Sequence, residues 1–348
     1  MQKFLNILVM FIFVNCSSYQ INEKVLICGV CKNVASSLHI TKQIIEKIGS
    51  LFEDYKIIVY ENNSTDNTVA FLRNWENQNS KVNITSEFID LALLETIIIN
   101  RQYENKPNMV DLFKPEAIAI ARNKALDIAM SSEYNAYEYI IWIDMDFKYE
   151  PDYDAFKEVF EKKSEWDAVF AYGIAPNNEY WDWYALRDAK DPLGPELLGW
   201  DWYTSKVLSC KKTDSWHSVY SAFGGCGIYK KSSIIGCKYS GLVTKDMEDV
   251  YKNIIEQGFN NNHPKVLKYL DDIKFLSKKL IKLDNYLPEI KDSNIGFILH
   301  EDTNAIVWRM NAYTYNYPSV CEHVPFHFSM IKNGHDKLFI NPRLIFRY

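Results

Sequence analysis

The sequence predicts an α/β fold: a doubly wound, mostly parallel sheet covered by helices on both faces, carrying a helical insertion. Three observations predict it. From Lys24 onward, short apolar runs fit for buried strands alternate with segments of helical period. Polar, turn-rich loops follow the C-terminal ends of the runs, which is where ligands bind in such sheets. The 348 residues are 47% hydrophobic and 24% charged, a globular balance that excludes a disordered, collagenous or coiled-coil chain. The length suits one large domain over residues 19–348 better than two full ones.

The elements follow in order. Lys3 precedes an apolar run over 4–14, broken by Asn6 and followed by Cys16, Ser17 and Ser18. That order predicts a signal peptide or short anchor over residues 1–18. It implies the secretory pathway, ER/Golgi lumen or secretion, with possible membrane association through the N-terminus. A buried N-terminal strand is the alternative and would leave the chain cytoplasmic. VLICGV (25–30) reads as a strand. The next segment has Leu38, Ile44, Ile45, Ile48 and Leu51 at helical spacing, with Ser36 or Ser37 to cap it. KIIVYE (56–61) is the second strand, closed by NNSTDNT, and TVAFLRNWENQ starts the next helix. PEAIAIARNKALDIAM (115–130) predicts a strong helix with Pro115 in its first turn. YEYIIWIDMDF supplies the most hydrophobic strand, ending abruptly at Asp144-Met145-Asp146, and DAVFAYG is another. SAFGGCGIYKK is punctuated by glycine where backbone must approach something closely, at Gly224 and Gly225. Residues 245–294 are Lys-rich, with Val266, Leu270, Ile273, Leu276 and Leu280 on one helical face, and predict the helical insertion.

A net charge of -6, from 39 basic and 45 acidic residues, gives no electrostatic reason to bind nucleic acid. Seven cysteines is an odd number for a disulfide framework, and Cys28 and Cys31 read as strand and loop residues, not as a redox or metal pair. The chemistry points to the strand end. Asp144 and Asp146, at i and i+2, can project to one side and repel unless a cation bridges them. Hard oxygen ligands in that number suit Mn2+ or Mg2+ shared with substrate phosphates. Such an ion offsets the charge on a departing nucleoside diphosphate. Arg122 can add a second cation there. Glu61 and Asn62, at the tip of the second strand, can hydrogen-bond a nucleobase edge. Glu322 with His323 and His327, the latter two on one helical face, can form a general base or supply a further metal ligand. Asp182, Arg187 and Asp188 lie among Trp181, Trp183 and Tyr184, a lining that grips sugar hydroxyls and ring faces. Glu248-Asp249 and His300-Glu301-Asp302 are further acidic clusters, of a kind that is usually solvated. Asn62-Asn63-Ser64-Thr65 holds overlapping N-glycosylation acceptors, and a glycan there would block the pocket.

The ordered set ENNSTDNT, ARNKAL, IDMD and CEHVPFH with GHDKLFINPRL resembles the nucleotide-sugar-dependent glycosyltransferases of the GT-A fold. More narrowly, WDWYALRD, SAFGGCGIY and Cys321-Glu322 leading to FINPRLIFRY are similar to the cryptococcal capsule α-1,3-mannosyltransferase family and its relatives. The resemblance implies that Asp144 and Asp146 carry the metal, Glu61 and Asn62 face the base, and Arg122 approaches the ribose or diphosphate. Glu322 matches the acid that deprotonates the acceptor in inverting relatives, although His323 stands where many relatives have a second acid. The implied donor is GDP-mannose, with retention of configuration, or a UDP-sugar; the implied acceptor is a glycan or glycoprotein. The rival expectations are a non-catalytic carbohydrate-binding protein on the same scaffold and a nucleotide-sugar phosphohydrolase.

Overall fold

The structure, a computed structural model, describes residues 20–89, 114–176, 179–192, 194, 215–241, 244–257, 295–300, 305–310 and 320–348. In chain order the strands and helices are β1 (Ile21–Cys31), α1 (Leu38–Gly49), β2 (Phe52–Asn62), α2 (Thr68–Gln78), β3 (Val82–Glu87), α3 (Lys114–Ala129), β4 (Tyr139–Ile143), α4 (Asp154–Glu161), β5 (Ala168–Ile174), β6 (His217–Ser218), β7 (Cys226–Lys230), α5 (Lys245–Glu256), β8 (Ile295–His300), β9 (Ala305–Met310), α6 (His323–Lys332) and β10 (Leu338–Arg347). The described strands form an eight-stranded sheet in the order β3-β2-β1-β4-β7-β5-β10-β6 and a separate β8-β9 pair. Neighbours β3, β2, β1 and β4 run parallel, as do β5 and β10. Strand β7 is reversed between β4 and β5, and β6 is reversed on the edge. The expected mostly parallel α/β sheet is therefore present.

Strand alternation explains why it is covered on both sides. Successive side chains point to opposite faces. Leu26, Cys28, Ile58, Tyr60, Ile140 and Trp142 join one core, with α3 and α6. Val25, Ile27, Ile57, Val59, Ile141 and Ile143 join the other, with α1 and α4. Helix α3 starts at Lys114 with Pro115 in its first turn, where the missing N–H costs nothing. Its buried row Ala119, Ala125 and Ala129 is small enough for close packing on β1 and β2. Ser37 stands at the start of α1 as expected, but its hydroxyl donates to the Val34 carbonyl and does not cap the helix.

Cys28 and Cys31 are buried free thiols on β1, and burial pushes both pKa values up, which agrees with strand residues and not with a reactive pair. Helix α5 lies at the start of the segment expected to form an insertion, and Lys332 of α6 binds the helix through Asp246 (2.7 Å) and Asp249 (2.8 Å). The remainder of the insertion, with its face from Val266 to Leu280, and the signal or anchor segment 1–18 lie outside the described residues. Among the described residues no helix is long and apolar enough to cross a membrane.

Candidate functional site

The site forms where β4 stops. Asp144 follows the strand's last residue, and its N–H donates to the carbonyl of Gly225 (3.0 Å) just before the reversed strand β7. The β4–β7 pairing thus fixes the backbone of the acidic segment. Asp144 Oδ1 accepts from Arg122 Nη2 (3.3 Å) and Oδ2 accepts from the Tyr348 hydroxyl (2.6 Å). Arg122, on α3, also donates from Nε to Glu322 Oε1 (3.0 Å) at the start of α6. One guanidinium therefore joins three segments that sequence reasoning had placed in one pocket. It lies over the rings of Phe223 (4.9 Å), Trp142 (5.4 Å) and Tyr239 (5.8 Å).

Asp144 is hydrogen-bonded through both oxygens, yet 29% of its side chain stays accessible. Asp146 is exposed at the rim. Asp182 joins them from the segment after β5, where its Oδ2 accepts the N–H of Gly224 (2.9 Å). Burial pushes the Asp144 carboxyl up to about 7; Arg122 and Tyr348 oppose the rise, and Asp146 and Asp182 add to it. Burial likewise raises Asp182 to about 6, with Glu322 adding to the effect. Burial alone would weaken the charge on Arg122, but Glu322 and Asp144 outweigh it and hold the guanidinium more firmly protonated than usual. The carboxylates of Asp144, Asp182 and Glu322 thus crowd around the Arg122 guanidinium, while Lys148 and Lys114 act on Asp146.

That excess of negative charge fits a divalent cation. Asp146 is open at the cleft, and the Asp144 oxygens keep spare lone pairs beside their two hydrogen bonds. Among the described residues no three His, Cys, Asp or Glu side chains gather into an ion cage. Two carboxylates completed by substrate phosphates is the pattern that Mg2+ in particular adopts.

Several expected residues take other roles. His327 is fully buried on α6, with Nδ1 bonded to the Ser221 hydroxyl (2.9 Å) and Nε2 to that of Tyr229 (2.9 Å), so no lone pair remains for a metal. Burial and then Arg122 push its pKa down to about 3, and it is a neutral core residue. His323 shares its helix face as the spacing predicted, with the two rings stacked at 5.7 Å, but it is also stacked on Phe223 (3.8 Å) with both nitrogens unbonded. Burial, Arg122 and His327 keep it uncharged, with its Nε2 3.5 Å from Glu322 Oε1. Glu322 reaches the site but is committed to Arg122, with 8% of its side chain accessible.

The glycines answer to close protein neighbours. A Cβ on Gly224 (φ 62°) would collide with the Ala171 carbonyl, and one on Gly225 (φ 88°) with Tyr348 and Phe147. Arg187, fully buried, spends its guanidinium on the Tyr251 hydroxyl (3.1 Å) and the carbonyls of Tyr184 (2.9 Å) and Leu186 (2.8 Å). Asp188 accepts from the N–H groups of Lys190 and Asp191 and binds His217 (2.8 Å), which fixes a turn. These two were expected to meet the acceptor; their groups serve the fold.

Glu61 lies at the same sheet edge as Asp144, one strand beyond β1, since Cys31 pairs with Glu61 and Cys28 with Trp142. Its oxygens accept from the Ser64 N–H and the Ser86 hydroxyl, which orders the β2–α2 loop. Asn62 donates to Asn63 (3.0 Å), and Asn63, at φ 57°, donates to the Ile89 carbonyl (2.9 Å). Both asparagines of the glycosylation motif are thus tied into the loop. Asp249 pairs with Lys332 on the surface, Glu248 lies on α5, and Glu301 and Asp302 lie outside the described residues. The residue missed by sequence reasoning is Tyr348; the aromatic closing the strand pattern of β10 was its available signal.

No protein family model and no curated protein matches the chain, so the narrower likeness to the cryptococcal capsule family stands on the motifs alone. Solved structures do match. The mannosyltransferase PcManGT from Pyrobaculum calidifontis, in complex with GDP-Man and Mn2+, is 15% identical over 63% of this chain and 48% of its own, with a TM-score of 0.35. TarS of S. aureus in complex with UDP-GlcNAc is 14% identical over 62% of this chain and 48% of its own, with a TM-score of 0.32. The same protein with UDP is 15% identical over 62% and 50%, with a TM-score of 0.33. The matches span about half the length of those solved chains.

Proposed function

We propose that the chain is a glycosyltransferase that moves a hexose, mannose first among the choices, from a nucleotide sugar to a glycan or glycoprotein. The observation that carries this is the end of β4, where Asp144 stands with Asp182 and Glu322 around one buried guanidinium, Arg122, and Asp146 lies exposed two residues on, within electrostatic range of Lys148 and Lys114. A ligand that brings phosphates and a divalent cation together neutralises that arrangement, whereas a neutral sugar alone leaves it repelling itself.

In this reading Asp144 and Asp146 hold Mn2+ or Mg2+, which supplies charge stabilisation for the departing diphosphate. Arg122 anchors Asp144 through Nη2 and is itself anchored by Glu322, so the acidic floor is held in place before a donor arrives. The nucleoside end of the donor lies along the sheet edge toward Asn62 and the loop that Glu61 orders. The aromatic floor of Trp142, Phe223 and Tyr239 excludes water behind the guanidinium, which strengthens electrostatic interactions at the diphosphate. A phosphohydrolase would share these features up to the acceptor.

Thermal stabilisation by a panel of nucleotide sugars, with and without Mn2+, tests the reading. A matching donor at about 100 times its Kd adds about 2.7 kcal/mol, and the account expects that shift only with the metal present. Stabilisation by no member of the panel overturns it. Product analysis with glycan acceptors then separates transfer from simple hydrolysis.

A further inference from the structure

The segment after β5 puts a large exposed aromatic next to a carboxylate, Asp182, that forms no ion pair among the described residues. Trp181 is 45% exposed, and its ring lies over Tyr348 at 4.9 Å and 31° between planes. The backbone N–H of Trp181 donates to the Gly173 carbonyl (3.0 Å), so the residue is held against the end of the sheet. Tyr348 in turn bonds Asp144, which connects the indole platform directly to the floor of the cleft. The next residue, Asp182, directs one oxygen to the Gly224 N–H and lies within electrostatic reach of Asp144, Glu322 and Arg122. A pyranose matches this pair: its C–H face packs on an aromatic ring and its rim of hydroxyls hydrogen-bonds a carboxylate. Glu322 is shut away from the same hydroxyl, with 8% of its side chain accessible and its Oε1 held by the buried Arg122.

We propose that Trp181 and Asp182 form the acceptor subsite, with a pyranoside lying on the indole and Asp182 as the catalytic base. The step rests on the nucleotide-sugar reading. The acceptor hydroxyl gives its proton to the Asp182 carboxylate as its oxygen bonds to the donor's anomeric carbon. The bond from that carbon to the diphosphate oxygen breaks, its electron pair leaves with the nucleoside diphosphate, and Asp182 later releases the proton to water. Burial holds the Asp182 carboxyl near 6, close enough to neutrality to accept a proton and return it.

The test separates the two ligands. Saturation-transfer NMR follows methyl hexopyranosides as acceptor probes and GDP and UDP with Mn2+ as donor probes, on wild type, Trp181→Ala, Trp181→Phe and Asp182→Asn. Trp181→Ala is expected to weaken pyranoside binding about tenfold, a loss comparable to that of one aromatic contact, and Trp181→Phe to recover most of it, with nucleotide signals retained. Asp182→Asn is expected to cut transfer about 100-fold or more and to abolish the acid limb of the pH profile while nucleotide still binds. Pyranoside binding indifferent to Trp181→Ala, or transfer by Asp182→Asn near the wild-type rate, overturns the subsite. Failure of both nucleotides to bind overturns the donor reading instead, and is seen separately.

Discussion

Arg122 is the residue on which the site turns. It is 4% accessible and pairs with Glu322 and Asp144, so removing it leaves a buried carboxylate without its cation. Breaking one partner of a buried pair costs about 3–5 kcal/mol, while replacing both by apolar groups of similar volume costs far less. Arg122→Met should therefore lower stability by about that amount, and Arg122→Met/Glu322→Leu should recover much of it; chemical denaturation reads both. Asp144 makes a pH prediction. An unfolded carboxyl ionises near 4, whereas burial holds Asp144 to about 7 and Asp182 to about 6 in the fold. Between those values the folded chain binds protons that the unfolded chain does not, so the contribution of these groups to stability is full below about pH 4 and is lost as pH rises through 7. Mn2+ and protons compete for Asp144, so added Mn2+ should raise the melting temperature more at pH 8 than at pH 5. An equal shift at both would contradict the placement of Asp144 at the ion.

At the scale of elements, the reversed strand β7 joins the two parallel groups of strands and carries the turn that holds the site. Gly224 sits at φ 62° against the backbone of Ala171 and Gly173 and presents its N–H to Asp182. Gly224→Ala brings both a left-handed backbone penalty and a backbone collision, and should cost more than about 2 kcal/mol and displace Asp182, as a denaturation curve and lost acceptor-dependent turnover would show. Helix α6 carries the contrasting case. Because His327 binds only core hydroxyls, His327→Leu should leave Mn2+-dependent nucleotide affinity unchanged while altering stability, because it strands the Tyr229 and Ser221 hydroxyls. A large loss of metal-dependent affinity without a change in fold would restore it as a ligand.

At the scale of the whole molecule, what the sequence showed was local. The apolar runs of β1, β2 and β4 and the helical period of α3 are set by neighbours within a few residues, so the parallel half of the sheet and the exposed tip at Asp144 and Asp146 were readable. Arg122, Asp182 and Glu322 were also named before their convergence was visible. The reversal of β7 was not, because strand direction is decided by pairing with Tyr139–Ile143 across the fold. The roles of His323 and His327 were misread for a similar reason: α6 is buried nearly all round, and a helical period cannot tell a ligand face from a core face there. Tyr348 meets Asp144 from 204 residues away, and the strand pattern of β10 marks the aromatic but not its partner. The most direct test of the account is calorimetric titration of GDP and UDP into wild type and Asp146→Asn, with and without Mn2+. The account predicts metal-dependent binding of one nucleotide to the wild type, and a loss of that metal dependence in a variant that melts like the wild type. Unchanged affinity in Asp146→Asn would contradict it.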